Sequence, residues 1–158
     1  MTQIGSPRFK LEISLGAIIP LAALLAITSG RFGVVRGVVA TVLFVISLLA
    51  HEFGHMVVGL LIGARVRAFG FCLFGTYIRR NKEEGLAEML ISAAGPFINL
   101  LILLLFWGQS GILNWVAQMN AVLLVLNLLP VFNSDGQRLL QELKRFSAPH
   151  ATQQQASA

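Results

Sequence analysis

From Met89 to Ser134 the chain contains no Asp, Glu, Lys or Arg. Few folds accept such a run in water, whereas roughly 20 apolar residues suffice to cross the hydrocarbon core of a bilayer. The "GQSG" at 108–111 divides the run into two candidate spans, about Leu86–Trp107 and Ile112–Pro130. Two more precede it: Ile13–Ser29, with Pro20 as a kink, and Gly37–Ala64. The second of these would rise about 42 Å as a helix, so tilting or emergence is expected. Composition agrees, since 56% of residues are hydrophobic and only 12% charged, where a soluble domain carries about 25% charged residues. The expected fold class is an all-α polytopic membrane protein with about four transmembrane helices.

Between the second and third spans, "RVRAFGFCLFGTYIRRNKEEG" (65–85) is rich in aromatic and β-forming residues and punctuated by Gly70 and Gly75. It reads as a short strand or hairpin segment. "GQRLLQELKRF" (136–146) places Leu139, Leu140, Leu143 and Phe146 at helical spacing, as in an amphipathic helix on a membrane surface. Residues 147–158 have the composition of a disordered tail, leaving 1–146 as a single transmembrane domain. All 12 Lys and Arg except Arg31 and Arg36 fall in the N-terminal segment, the 65–85 loop or the C-terminal tail. With four spans, that bias puts both termini in the cytoplasm. The basic residues flank apolar segments without an aromatic-interleaved patch, so nucleic acid is not the expected partner. Cys72 is the single cysteine, which excludes an internal disulfide and a thiolate-rich metal site.

Within the second span, "LLAHEFGHMVVG" (48–59) holds three titratable side chains. Such groups are costly at membrane depth and mark function. His51 and His55, four residues apart, stack on one face of a helix. Two imidazoles so placed can hold one zinc ion, with Glu52 beside them to take a proton from water. A catalytic zinc needs a third protein ligand. Asp135, directly after the fourth span, is the best placed: His55 lies about 13 Å from Ala64 along its helix, and the segment after Pro130 starts from the same face. Asp135-Gly136 is equally a common turn pair, so position alone leaves the choice open. Glu88, at the start of the third span, is the other carboxylate near a span; Cys72 and His150 lie in loop and tail. Asn99 and Asn127 are amides at membrane depth, where hydrogen bonds between helices are the ordinary explanation, and Ser47 reads as packing. Ala93, Ala94 and Gly95 are small enough for close helix approach, and Pro96 would kink the third span.

Three motifs taken together resemble a known family. His51-Glu52-x-x-His55, "AAGPFIN" (93–99) and "NLLPVFNSDG" (127–136) look like the signatures of the site-2 proteases, the intramembrane zinc metalloproteases of peptidase family M50. The resemblance runs from about Ile13 to Arg138. It implies that His51, His55 and Asp135 bind Zn2+, that Glu52 is the catalytic base, and that Asn99 and Asn127 line the site, contacting substrate or an oxyanion. One departure is the polar Asn133-Ser134-Asp135-Gly136-Gln137, where members usually have Pro-Leu-Asp-Gly-Gly. The implied substrates are transmembrane segments of membrane proteins, and the implied location is the inner membrane of a prokaryote. The rival reading is a catalytically silent metal-binding scaffold or transporter subunit of the same fold. Four spans without a repeat leave little room for alternating access. Oligomeric state is not legible.

Overall fold

The computed structural model of the chain describes residues 10–14, 18–72, 75–81, 83–131 and 134–147. Five helices carry most of it: α1 (Ile18–Phe32), α2 (Val34–Ile62), α3 (Leu86–Phe106), α4 (Ile112–Leu128) and α5 (Asp135–Ser147). Glycines separate several of them. Gly33, at φ +88°, turns α1 directly into α2, a backbone region that side chains disfavour. Gly63 ends α2 in the left-handed conformation. There the Ala64 N–H reaches the Gly59 carbonyl (2.8 Å) and the Gly63 N–H reaches Leu60 (3.0 Å), a Schellman closure.

The outside of the helices is apolar and the inside is not. Val35, Leu61 and Trp107 are 78%, 82% and 72% exposed, while Ser47, His51, Glu52, Asn99 and Asn120 are buried. In water the opposite arrangement is favoured. This is a membrane protein. α2 and α3 are long and apolar enough to cross a bilayer; α1 and α4, of 15 and 17 residues, are apolar but shorter.

Three strands form one sheet in the order β1 (Lys10–Ile13), β2 (Val66–Cys72), β3 (Gly75–Arg80). β2 and β3 pair antiparallel, with a register shift between Val66 and Ala68. β1 pairs parallel to β2, Lys10 opposite Ala68 and Ile13 opposite Phe71. Ile13, expected at the head of the first span, thus belongs to a strand, and the helix begins at Ile18. The 148–158 part of the tail, with His150, lies outside the described residues.

Two carboxylates tie the start of α3 to its surroundings. Glu88 accepts both guanidinium nitrogens of Arg80, each at 2.8 Å, and both side chains are buried. Glu142 of α5 accepts the Gly85 N–H at 3.0 Å, at the start of α3, and also pairs with Arg145 at 2.9 Å. An amphipathic helix read as lying on a surface is therefore packed on α3 by its polar face, with Leu140, Leu143 and Phe146 exposed.

Removing one member of a buried ion pair strands the other, at a cost of about 3–5 kcal/mol, whereas replacing both with apolar groups is often neutral. Glu88→Ala should lower the unfolding midpoint in detergent markedly, and the double variant Arg80→Met/Glu88→Leu should recover most of it. An equal loss in both would show instead that the ion pair is itself net stabilising and that a stranded charge is not the cause.

Candidate metal centre

Helical spacing sets the first two groups. His51 and His55 project from one face of α2, and their Nε2 atoms lie 3.1 Å apart. The third comes from the far end of the chain: Asp135, first residue of α5, puts Oδ2 at 3.1 Å from His51 Nε2 and 3.2 Å from His55 Nε2. All three residues are buried.

The far side of each ring decides what this triangle can hold. His55 Nδ1–H donates to the Ile91 carbonyl at 2.6 Å, and His51 Nδ1–H donates to Asn99 Oδ1 at 2.5 Å. With each proton on Nδ1, both neutral rings turn an Nε2 lone pair towards the carboxylate. Three lone pairs then face one another at 3.1–3.2 Å. A proton on any one of the three atoms leaves the opposite edge of the triangle unrelieved; a metal ion relieves all three. Tetrahedral zinc with bonds of about 2.0–2.1 Å places its ligand atoms about 3.3–3.4 Å apart, close to the spacing present. These three residues are the group of possible metal ligands among the described residues.

Glycine makes room for the site. A Cβ at Gly95 would meet His51 Nε2 and Cε1 at 2.6 Å and His55 Nε2 closer still. α3 can pass against both imidazoles only without a side chain there. Gly54 does the same on α2, where a Cβ would come within 2.8 Å of the Ala94 carbonyl and of Ile98. A Cβ at Gly136 would collide with the Leu128 carbonyl. That residue reads in sequence as half of a turn pair; in the structure it lets the start of α5 abut the end of α4.

No known family profile matches the chain. A candidate zinc metalloprotease of Synechocystis sp. is 27% identical over 128 residues, covering 73% of this chain and 34% of that protein. The chain thus spans about a third of the length of the curated relative it matches. The solved structure of the site-2 protease from Methanocaldococcus jannaschii aligns with 95% of this chain and 72% of its own, with a TM-score of 0.72 and 20% identity. The chain has the site-2 protease fold. The likeness read from three motifs is therefore also a likeness of architecture.

Within this site-2-protease-like frame, the other candidate residues take distinct places. Glu52 is buried and adjoins His51 in α2. It stands outside the ligand triangle. Asn99 lies behind His51 and away from the triangle; it is fully buried, accepting from His51 and donating from Nδ2 to Asn120 Oδ1 at 2.8 Å. Asn127 donates to the Leu123 carbonyl at 2.9 Å, a bond that stays within its own helix and does not link it to the three ligands. Glu88, weighed as a ligand, is held by Arg80. Asn120 escapes the sequence reading, although an amide in an apolar stretch is itself a signal.

Gly95→Ala should lower metal affinity at least about ten-fold, as displacement of a ligand's support does. Metal content of the purified protein, measured against the wild type, checks this. Full occupancy would show that the imidazoles can bind metal without α3 against them.

Proposed function

We propose that the chain is an intramembrane zinc metalloendopeptidase that hydrolyses peptide bonds in transmembrane segments of membrane proteins. The observation that carries the reading is the buried His51–His55–Asp135 triangle with Glu52 beside it, set among lipid-facing apolar helices. His51, His55 and Asp135 would hold the ion, two neutral nitrogens from α2 and one anionic oxygen from α5. Zinc, when bound, supplies Lewis acidity towards a carbonyl and acidifies coordinated water.

Glu52 is the general base in this reading. A carboxylate oxygen takes a proton from the attacking water and returns it to the leaving amine nitrogen. Its burial suits the task, because few other acceptors compete for that proton in an apolar surround. Water must still reach the site through a polar opening, since lipid alone would exclude it.

All four apolar helices cross the membrane in this reading, α4 at the short end of what suffices and α1, two residues shorter, with the help of local bilayer thinning. Both termini and the sheet then lie on the cytoplasmic side, in the inner membrane of a prokaryote, and the partners are the bilayer and a transmembrane protein substrate. His55 stands about two turns before the Gly63 end of α2, which sets the metal in the cytoplasmic part of the bilayer. A substrate helix hides its carbonyls in its own hydrogen bonds and must unwind locally to be cut. Relative to Ala, interior Gly weakens a helix by about 1 kcal/mol and Pro by about 3.

Glu52→Gln should keep its zinc and lose cleavage by at least about 100-fold, because Gln cannot accept the proton. Zinc content and cleavage of a candidate transmembrane helix, measured together in detergent, test this. Activity within a few-fold of wild type would remove the general-base role. Good substrates should carry Gly, Pro or Asn near the cytoplasmic end of their span and be cut there. Replacing those residues with Leu should slow cleavage without impairing insertion. Mass spectrometry that maps cuts to the opposite leaflet would refute the assigned topology.

A further inference from the structure

The hydrogen bonds behind His51 continue beyond Asn99 through a third helix. Asn99 Nδ2 of α3 donates to Asn120 Oδ1 of α4, and Asn120 Nδ2 donates to the Val116 carbonyl at 2.9 Å and to Ser47 Oγ of α2 at 3.0 Å. Asn99 and Asn120 are both 0% exposed. We infer that Asn120, acting through Asn99, is a positioning residue that keeps the His51 proton on Nδ1 and so turns the Nε2 lone pair to the metal centre. The inference rests on the reading of His51 as a metal ligand and adds the device that prepares it.

The direction of the chain is set at its far end. A backbone carbonyl only accepts, so the Asn120 atom facing Val116 must be the amide nitrogen. Its oxygen is thereby left for Asn99, which must offer Nδ2. That in turn leaves Asn99 Oδ1 towards His51, and an oxygen there requires a proton on Nδ1. Reversing any one amide would set oxygen against oxygen or N–H against N–H at less than 3 Å, in surroundings where no water can compensate. His55 needs no relay, because the Ile91 carbonyl accepts its Nδ1–H directly. Both ligands are thus fixed by a helix carbonyl, one at first hand and the other through two amides.

A network that merely joined α2, α3 and α4 would not care which imidazole nitrogen carries the proton. Asn120→Leu removes the acceptor for Asn99 Nδ2, freeing that amide to rotate and offer N–H to His51 Nδ1, which moves the ring proton to Nε2. Nitrogen-15 spectra of the metal-free full chain in detergent read this directly. In wild type both histidines should report Nδ1–H. Asn120→Leu should shift His51 alone, with His55 as the internal control, and weaken zinc binding by about 10–100-fold, as loss of a ligand's hydrogen-bond partner does. Asn120→Ser, which can bond back to its own helix but is too short for Asn99, should act in the same way and serves if the Leu variant does not fold. Adding Asn99→Asp to Asn120→Leu should restore the Nδ1–H signature, because a carboxylate at 99 accepts whatever stands at 120. Ser47→Ala should leave it unchanged, because Val116 still fixes the direction. A His51 that stays Nδ1–H in both Asn120 variants overturns the inference. Wild type with the expected tautomers but no affinity for zinc would instead overturn the metal reading of the site.

Discussion

Three lone pairs held 3.1–3.2 Å apart repel one another, and the apolar surround of this site offers little to screen them. The repulsion weakens in proportion to the effective dielectric and would be modest at a wet surface. Here the donor atoms are buried, and a cation among them would remove the repulsion. The packing that encloses them follows from that need. α2 supplies two ligands on one face, α3 must pass against their rings, and α5 must enter with its first residue. The bare backbone positions at Gly54, Gly95 and Gly136 lie at these three approaches. Each would be a poor choice for helix propensity alone. Contact distance, not conformational freedom, explains them, since none of the three has a positive φ.

Protons matter as much as distances. A triangle of this kind binds metal only if neither imidazole has placed its hydrogen on the inner nitrogen. Free imidazole exchanges between tautomers readily, so the surrounding protein must choose. It does so with groups that cannot themselves change role, the carbonyls of Ile91 and Val116. Pro96 lies close to the first of these. It has no N–H for the Ser92 carbonyl, and the neighbouring carbonyl, Ile91, is the one that His55 uses.

Local features are the legible ones. The i, i+4 histidines with Glu52, the small residues near Gly95 and the apolar helices all follow from patterns within a few turns of chain. Asp135 is not separable from a turn residue by spacing alone, because its place beside the two histidines depends on where α5 enters; the resemblance supplies what the spacing does not. Asn120 escapes notice for a related reason. Its partners sit on two other helices, at Asn99 and Ser47, and Ser47 reads in sequence as packing. β1 merges into the first apolar run because its parallel pairing with β2 is non-local, and nothing within "KLEI" announces a partner more than fifty residues away. Glu88 reads as an interface residue until the fold brings Arg80, across the loop, to it as a counter-ion.

The two kinds of candidate ligand differ in what holds them. His51 and His55 are set by the geometry of one helix and persist as long as α2 does. Asp135 is delivered by tertiary contacts: Gly136 against Leu128, and two turns further on, the Glu142 carboxylate at the Gly85 N–H. An acceptor at that N–H satisfies a donor the start of α3 would otherwise leave open, and its negative charge lies at the favourable end of the helix dipole. Since α3 also carries Gly95, Asn99 and the Ile91 carbonyl, the helix that fixes the tautomers is the one to which the third ligand's helix is moored. A displacement of α3 would therefore disturb the histidine protons and the aspartate together. The candidate metal centre is a property of how α2, α3 and α5 meet, and α3 packs against both of the helices that carry its three side chains.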